Sequence, residues 1–374
     1  MNSALKKLAT ALFIWGLGEG TFFFFQPLYL AELGANPIKI GQILGGVGIA
    51  ATLVHIPAGY LADKIGRRPL LRASWTVGWL AALLMASAEN LPLFTTALIA
   101  YSLTTFVISP LNSYVTAARG QWTVERALTL ISAVFSAGMV SGPLIGGWLG
   151  ENYGLRSLYI FAALAFTISV SIIYTLPSQD IHQSAKEFSP KTLLQNTRYL
   201  SFLVLIFFAV FTLYLPQPLA QNFLQDERGL SLSQIGLLGS LGGIGNVSLS
   251  LILGQIGARA GFLLAQLATA LFALLLWRGS EMGFYSLAYF LLGGYRAARS
   301  LAAAHVNSLI DDPQMGLAYG LTETASAFPL ILAPPLAGYL YSSSPESPLY
   351  FGLVLIFVSI ILTIRFFPRL IQEG

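Results

Sequence analysis

Apolar residues run along this chain in stretches of about twenty, each closed by a short cluster of Gly, Pro or charge. At about 1.5 Å per helical residue, such a stretch covers a hydrocarbon core of roughly 30 Å. The runs from Leu200 to Leu215 and from Leu349 to Ile364 show no two-residue alternation, which excludes the strands of a membrane β-barrel. Cutting at the polar clusters predicts spans near residues 8–30, 39–61, 70–88, 92–116, 127–149 and 155–177. Six more follow near 199–224, 231–256, 261–278, 282–307, 315–341 and 348–367. The expected fold class is an all-α membrane protein with twelve transmembrane helices.

Composition agrees with this pattern. Of 374 residues, 55% are hydrophobic and 10% charged, too little charge to coat a soluble globule of that size. Lys6 and Lys7 precede an apolar segment that continues past Trp15 to Leu30 without a small-residue cleavage site, so it reads as a retained first span. An even number of spans puts both ends on one side. With that side inside, the cytoplasmic segments collect Lys6, Lys7, Lys64, Arg67, Arg68, Arg72, Arg119, Arg126, Lys186, Lys191, Arg198, Arg259, Arg365 and Arg369. Lys39, Arg156, Arg228 and Arg278 fall outside. Both termini are therefore expected in the cytoplasm, in a multi-pass protein of the inner (plasma) membrane.

The net charge of +4 sits at helix ends and not on an aromatic-studded face, so no nucleic acid is expected as a partner. The chain has no cysteine, which excludes disulfides and thiolate metal sites. No glycine loop followed by Lys-Ser/Thr is present, so nucleotide hydrolysis is not the energy source. The histidines lie in separate segments with no supporting motif, which argues against an intramembrane enzyme. Neither a cofactor nor a metal is called for.

The polar stretch from Ser178 to Arg198 is the one long hydrophilic connector between spans and the natural linker. It separates domains at 1–177 and 199–374, with 178–198 as a cytoplasmic linker. Ile40-Gly41, Gly59 and Gly66 recur about 195 residues later as Ile235-Gly236, Gly254 and Gly261. Farther on, Pro143, Gly147, Leu149, Tyr159 and Pro177 match Pro334, Gly338, Leu340, Tyr350 and Pro368 at a shift of about 191. An ordered series at nearly constant shift points to duplicated six-helix halves.

The first cytoplasmic hairpin reads Gly59-Tyr60-Leu61-Ala62-Asp63-Lys64-Ile65-Gly66-Arg67-Arg68. Its glycines permit a tight turn, Asp63 can face a helix N-terminus, and Arg67 and Arg68 hold the loop inside. It resembles the GxLaDrxGrr signature of the major facilitator superfamily. In the fifth span, Gly138, Gly142, Pro143, Gly146 and Gly147 match the GxxxGPxxGG pattern that the family associates with proton-coupled antiporters. Gly138, Gly142 and Gly146 recur every four residues and form a bare stripe for close helix packing, and Pro143 removes a backbone donor. The resemblance covers essentially the whole chain and points to the drug/proton antiporter-like branch. It implies two pseudo-symmetric six-helix bundles and alternating access. It also implies pairing of the fifth span with the eighth at Gly239, Ser240, Gly242 and Gly243, and of the second with the eleventh, where Gly41, Gly45 and Thr52 meet Ala333 and Ala337. The second copy of the hairpin has Ala258 where Asp63 stands, and the fourth span has Pro110, Leu111 and Asn112 in place of an arginine-centred exporter motif.

Glu19, Arg296, Arg299 and Glu323 fall well inside predicted spans, where a charge costs several kcal/mol unless it is paired or wetted. Glu19 and Arg296 lie at similar depth, and Arg299 and Glu323 lie together about a turn closer to the cytoplasm. One reading makes Glu19 a proton-responsive carboxylate biased by Arg296; the other makes the two a static ion pair. Arg296 and Arg299, one turn apart, either bind an anionic group of the substrate or are neutralised by Glu19 and Glu323. Gln26, Tyr101, Asn112, Tyr114, Tyr214, Gln217, Gln221, Asn246 and Tyr295 are further candidates for a polar cavity. Trp15 and Phe22 to Phe25 form either an aromatic wall or ordinary packing. The expected protein is a monomeric secondary transporter, its partners a small-molecule substrate, protons as coupling ion and the lipid bilayer. Export of a small amphipathic solute is the leading expectation, with uptake or facilitated transport of a sugar, organic anion or lipid-like molecule as the alternative. A non-transporting receptor leaves the duplicated halves unexplained.

Overall fold

The computed structural model describes residues 3–54, 67–177, 196–306, 309 and 315–367, and these are helical with no strand among them. Every predicted span meets a helix. The first is a bent pair, α1 (Ser3–Phe23) and α2 (Gln26–Glu32), turned by 47° where Pro27 enters the first turn of α2. Then come α3 (Pro37–Leu53), α4 (Arg67–Ser87) and the fourth span, built from α5 (Leu91–Ser102), a 3₁₀ turn (Leu103–Val107) and α6 (Ile108–Ala118). Asn90 caps α5 by accepting from the Leu93 N–H. Helix α7 (Val124–Tyr153) runs unbroken through Pro143 and ends at Gly154, whose φ of 78° only glycine adopts freely. After α8 (Arg156–Tyr174) the second half repeats the series. Its helices are α9 (Thr197–Tyr214), α10 (Ala220–Asp226), α11 (Leu232–Leu253), α12 (Ala258–Arg278), α13 (Met282–His305), α14 (Met315–Ser343) and α15 (Ser347–Phe366).

Length and apolarity alone qualify eight of the described helices as membrane spans, or nine with the bent pair counted. The other three differ for identifiable reasons. Helix α3 is described only to Leu53, α13 contains Arg296 and Arg299, and α14 contains Glu323 and three prolines.

Backbone packing divides the chain into two compact units. The first comprises Met1–Ala35, Gly46–Ser184 and Gly229–Ser240; the second comprises Asn36–Gly45, Ala185–Arg228 and Leu241–Gly374. Each therefore takes in the opening turns of one helix from the other sequence repeat.

In the first unit α1 lies against α7 and α8. The stripe of Gly138, Gly142 and Gly146 packs on the backbone of α1 at Phe13, Gly20 and Thr21, while Gly16 and Gly20 of α1 answer with bare backbone against Phe135 and Met139. The Trp15 ring stacks on Phe166 at 3.8 Å and lies parallel to Tyr101. Trp75 of α4 donates to the Ser169 hydroxyl at 2.9 Å, which in turn donates to the Ala11 carbonyl at 2.7 Å, so one buried relay ties α4, α8 and α1.

The second unit solves the same problem with other residues. Gln266 of α12 donates to Thr363 Oγ1 at 2.9 Å and accepts from Ser359 at 2.8 Å, all fully buried. Gln266 stands about 191 residues after Trp75, and Ser359 about 190 after Ser169. The outer ends are strapped alike: Arg156 donates to the Ala86 carbonyl, and Trp277 donates to Glu346. Ala333 and Ala337 pack on Leu215 where Gly142 and Gly146 pack on α1. The duplication is thus a duplication of contacts.

Candidate functional site

On α1, Trp15, Glu19 and Phe22 fall four and three residues apart and so share one face. That face meets Tyr101 of α5. The Phe22 ring stands edge-on to Tyr101 at 5.4 Å, and the half-buried Glu19 carboxylate acts electrostatically on the Tyr101 hydroxyl. The hydroxyl is buried with no hydrogen-bond partner of good geometry among the described residues. Gly18 and Gly20, on either side of Glu19, are locked against Phe166 and Met139. The carboxylate is thus held by a rigid helix.

The second cluster lies in the second unit. Arg299 of α13 pairs with Glu323 of α14 at 3.4 Å, with the acid 61% exposed and the base 28%. Arg296, one turn earlier, is exposed on the same helix, and both arginines act on the hydroxyls of Tyr214 and Tyr295. Those two rings stack at 5.5 Å with 27° between their planes. Behind them, Tyr199 of α9 donates to the Ala318 carbonyl at 2.6 Å and lies 3.2 Å from the Thr322 hydroxyl, which fixes α14 beside Glu323. Nothing in the local sequence marks Tyr199 or Thr322 for this role, because the contact joins residues 123 apart. Glu19 belongs to the first unit, and Arg296, Arg299 and Glu323 to the second.

The remaining predicted residues scatter. Gln26 is buried at the start of α2. Asn112 is exposed, and its carbonyl accepts from Thr116. Tyr114 is a packing residue: its side chain is fully buried and its hydroxyl donates to the Pro177 carbonyl at 3.1 Å, which removes it from any cavity wall. Gln217 donates back to the Leu213 carbonyl at 2.7 Å, Gln221 has a buried Oε1 without a hydrogen-bond partner among the described residues, and Asn246 accepts from Ser250 at 3.4 Å. Trp15, Phe22 and Phe25 are core, not wall. Gly59, Asp63 and Gly66 of the hairpin lie outside the described residues; Arg67 opens α4 and Arg68 is half-buried there.

The fifth span does meet the eighth, as expected, but the glycine stripe itself faces α1, and the face of α7 that meets the start of α11 is the adjacent one. A methyl group on Gly236 would strike the Pro143 carbonyl, and one on Gly147 would lie 2.6 Å from the Leu232 carbonyl. Ser240 donates to the Val140 carbonyl at 2.6 Å, Ser233 to the Gly147 carbonyl at 3.4 Å, and the Ser233 N–H to Glu151 at 3.3 Å. Gly239 instead packs under Phe24, and Gly242 looks toward Tyr289. In the second unit the repeat supplies the matching seam. Gly41 meets the Pro334 carbonyl, Gly45 the Ile331 carbonyl, and Gly338 the Pro37 carbonyl. Its partners are the proline carbonyls and Gly338; Ala333 and Ala337 turn the other way, onto Leu215. Thr52 is spent on its own helix, donating to the Gly48 carbonyl.

Comparison with known proteins agrees with this duplicated architecture. The Major Facilitator Superfamily profile matches residues 8–217 and again 200–372. Multidrug resistance protein 1 of Bacillus subtilis (strain 168) is 22% identical over 377 residues, covering 97% of this chain and 96% of that protein. The quinolone resistance protein NorA of Staphylococcus aureus (strain Mu50 / ATCC 700699) is 20% identical over 369 residues, covering 94% of each. Among solved structures, the nucleoside transporter NupG superposes with a TM-score of 0.81 at 15% identity, covering 98% of this chain and 98% of that one. A mutant of the peptide transporter POT in complex with sulfate gives 0.75 at 12%, covering 97% and 94%.

Proposed function

Because the chain belongs to the Major Facilitator Superfamily, a transporter and not an enzyme, with twelve transmembrane helices in two pseudo-symmetric six-helix bundles, we propose that it exports a small amphipathic organic solute in exchange for protons. The observation that carries this reading is Glu19: a carboxylate at bilayer depth, on a glycine-locked helix, against the buried hydroxyl of Tyr101. A charge in that position is a functional candidate by default. Glu19 takes up and gives off the proton, and its change of charge biases an alternating-access equilibrium. The multidrug and quinolone resistance relatives span nearly the whole chain and support export. The chain works as a monomer in the plasma membrane, with both termini cytoplasmic and a linker at 178–198 between domains 1–177 and 199–374.

The seams at Gly236–Pro143 and Gly41–Pro334 are the contacts that alternate. Each joins a helix of one repeat to a helix of the other, through glycines and exposed carbonyls rather than interlocked side chains.

Flux of a panel of amphipathic dyes in proteoliposomes, with and without an imposed pH gradient, tests the proposal. The expected result is gradient-driven dye movement that Glu19→Gln uncouples. Undiminished coupling in Glu19→Gln removes Glu19 from the mechanism, and flux indifferent to the gradient in the parent protein leaves uptake or facilitated movement as the function.

A further inference from the structure

The exposed Arg296 stands roughly 14 Å from the cytoplasmic end of α13, counting nine residues at about 1.5 Å each. At that depth an exposed guanidinium faces water and not lipid. The opposite face of α13, through Gly294, Ala297 and Ala298, is buried, so the orientation is fixed by packing. Arg299 shares the exposed side, pairs with Glu323 at 3.4 Å and lies against the Tyr295 hydroxyl. A guanidinium has five donors, and these two neighbours leave some of them for a ligand. Among the described residues of this unit, no acid lies within ion-pair distance of Arg296. Among the described residues of the second unit, the cluster therefore holds two cations and one anion.

Beside these charges stands the stacked pair of Tyr214 and Tyr295. Tyr295 is only 7% exposed, and its hydroxyl, in the field of both arginines, has no hydrogen-bond partner of good geometry among the described residues. Arg299 can donate to that oxygen, but the hydroxyl proton has no acceptor among the described residues, and a ligand acceptor would take it. Tyr214 is half-buried and offers a partly open ring.

We propose that this cluster is a recognition site for a planar ring bearing an anionic group. Arg296 and Arg299 donate to the acid, the Tyr295 hydroxyl donates beside them, and Tyr214 carries the ring. Forked donors match a carboxylate or phosphonate, and the adjoining aromatic pair supplies the apolar area that an inorganic anion lacks. Glu323 competes with the ligand for Arg299. A neutral or cationic ring gains nothing from the arginines. The proposal rests on the carrier reading above and deepens it by naming a substrate class.

The test is equilibrium binding to the purified full chain in detergent, with no gradient, using 1-naphthoate, its neutral isostere 1-naphthalenemethanol and the cation (1-naphthylmethyl)trimethylammonium. The expected result is saturable binding of naphthoate alone. Arg296→Gln weakens it about ten- to a hundredfold, the scale of a charge-assisted hydrogen bond. Glu323→Gln strengthens it several-fold by freeing Arg299, which a merely structural ion pair would not do. Equal binding of the three probes, or naphthoate affinity unchanged in Arg296→Gln, overturns the proposal. If Arg296→Gln does not fold, Glu323→Gln still decides: unchanged or weaker naphthoate binding overturns it. Proton-driven dye flux without naphthoate binding would sink this inference and spare the carrier reading; naphthoate binding with flux indifferent to protons would do the reverse.

Discussion

Replacing Gly142 by Ala adds one methyl group at the point where α7 and α1 come closest. Its carbon would lie 2.5 Å from both the Cα and the carbonyl carbon of Gly20. Carbon atoms rest at about 3.5–4.0 Å, so the two helices must part by about 1 Å. The obstacle is backbone on a helix held by Trp15, Phe166 and Ser169, and it cannot yield as a flexible side chain would. Such overpacking costs about 1–3 kcal/mol. Alanine also recovers about 1 kcal/mol of helix propensity over glycine. The net for Gly142→Ala is therefore a loss of about 0–2 kcal/mol. Gly46 is the control: it lies inside α3 with nothing within 4 Å of an added methyl. Gly46→Ala keeps the propensity gain and escapes the clash, so it should stabilise by about 1 kcal/mol. Thermal unfolding midpoints in one detergent should then order as Gly46→Ala, parent, Gly142→Ala. A Gly142→Ala midpoint at or above that of Gly46→Ala would refute the claim that the stripe is a packing face.

Three further outcomes can be checked. Gly236→Ala, whose methyl meets the Pro143 carbonyl in the α7–α11 seam, should cut solute flux in proteoliposomes by a larger factor than it changes the unfolding midpoint. Ser169→Ala leaves the buried Trp75 N–H without its acceptor and should cost about 1–3 kcal/mol, read by thermal unfolding; Ser171→Ala, an exposed neighbour, should cost little. Burial, and then the neighbouring Glu227 charge, raises the Asp226 carboxyl above its ordinary value of 3.8. A raised folded-state value penalises the folded form as pH rises from that ordinary value through the raised one, so Asp226→Asn should be the more stable protein at neutral pH. The two should converge below about pH 4, where both states are protonated.

What the sequence disclosed follows from what each contact depends on. Helices came from apolar runs, which are local, and the duplication from ordered Gly and Pro positions, which survive because backbone approach tolerates nothing larger. The Arg299–Glu323 pair was legible because a charge in an apolar span has few fates. The face on which each glycine packs was not. Gly142 and Gly147 belong to one motif, yet the first meets α1 and the second meets α11, and a spacing of four residues does not say which neighbour stands opposite. Tyr114 likewise looked available for a cavity, because its bond to the Pro177 carbonyl joins residues 63 apart. The Trp15, Glu19 and Phe22 face could have been read from its helical spacing; that it meets Tyr101 could not.

The geometry also separates tightly interleaved contacts from looser ones by magnitude. Between α1 and α7, glycines interleave from both sides, at Gly16 and Gly20 against Gly138, Gly142 and Gly146, and every turn is buried backbone. Parting them would open a continuous void lined by unsatisfied dispersion contacts, at about 24 cal/mol per Å³ of cavity. The seam of α7 with the start of α11 holds glycine contacts at Gly147, Gly150 and Gly236 and three hydrogen bonds, one of them from the Ser233 N–H to the exposed Glu151. At about 0.5–1.5 kcal/mol each, the hydrogen bonds sum to roughly 1.5–4.5 kcal/mol, and water can replace each as it breaks. Carrying a two-state equilibrium from one extreme to the other takes about 5.5 kcal/mol of differential binding. Differential binding of that size, from the proton and the ligand proposed above, exceeds what the hydrogen bonds of the seam resist, whereas the α1–α7 interface offers no such exchangeable contacts. The seams are therefore where a carrier of this construction would hinge, and α1 with its carboxylate would travel with α7 as one body.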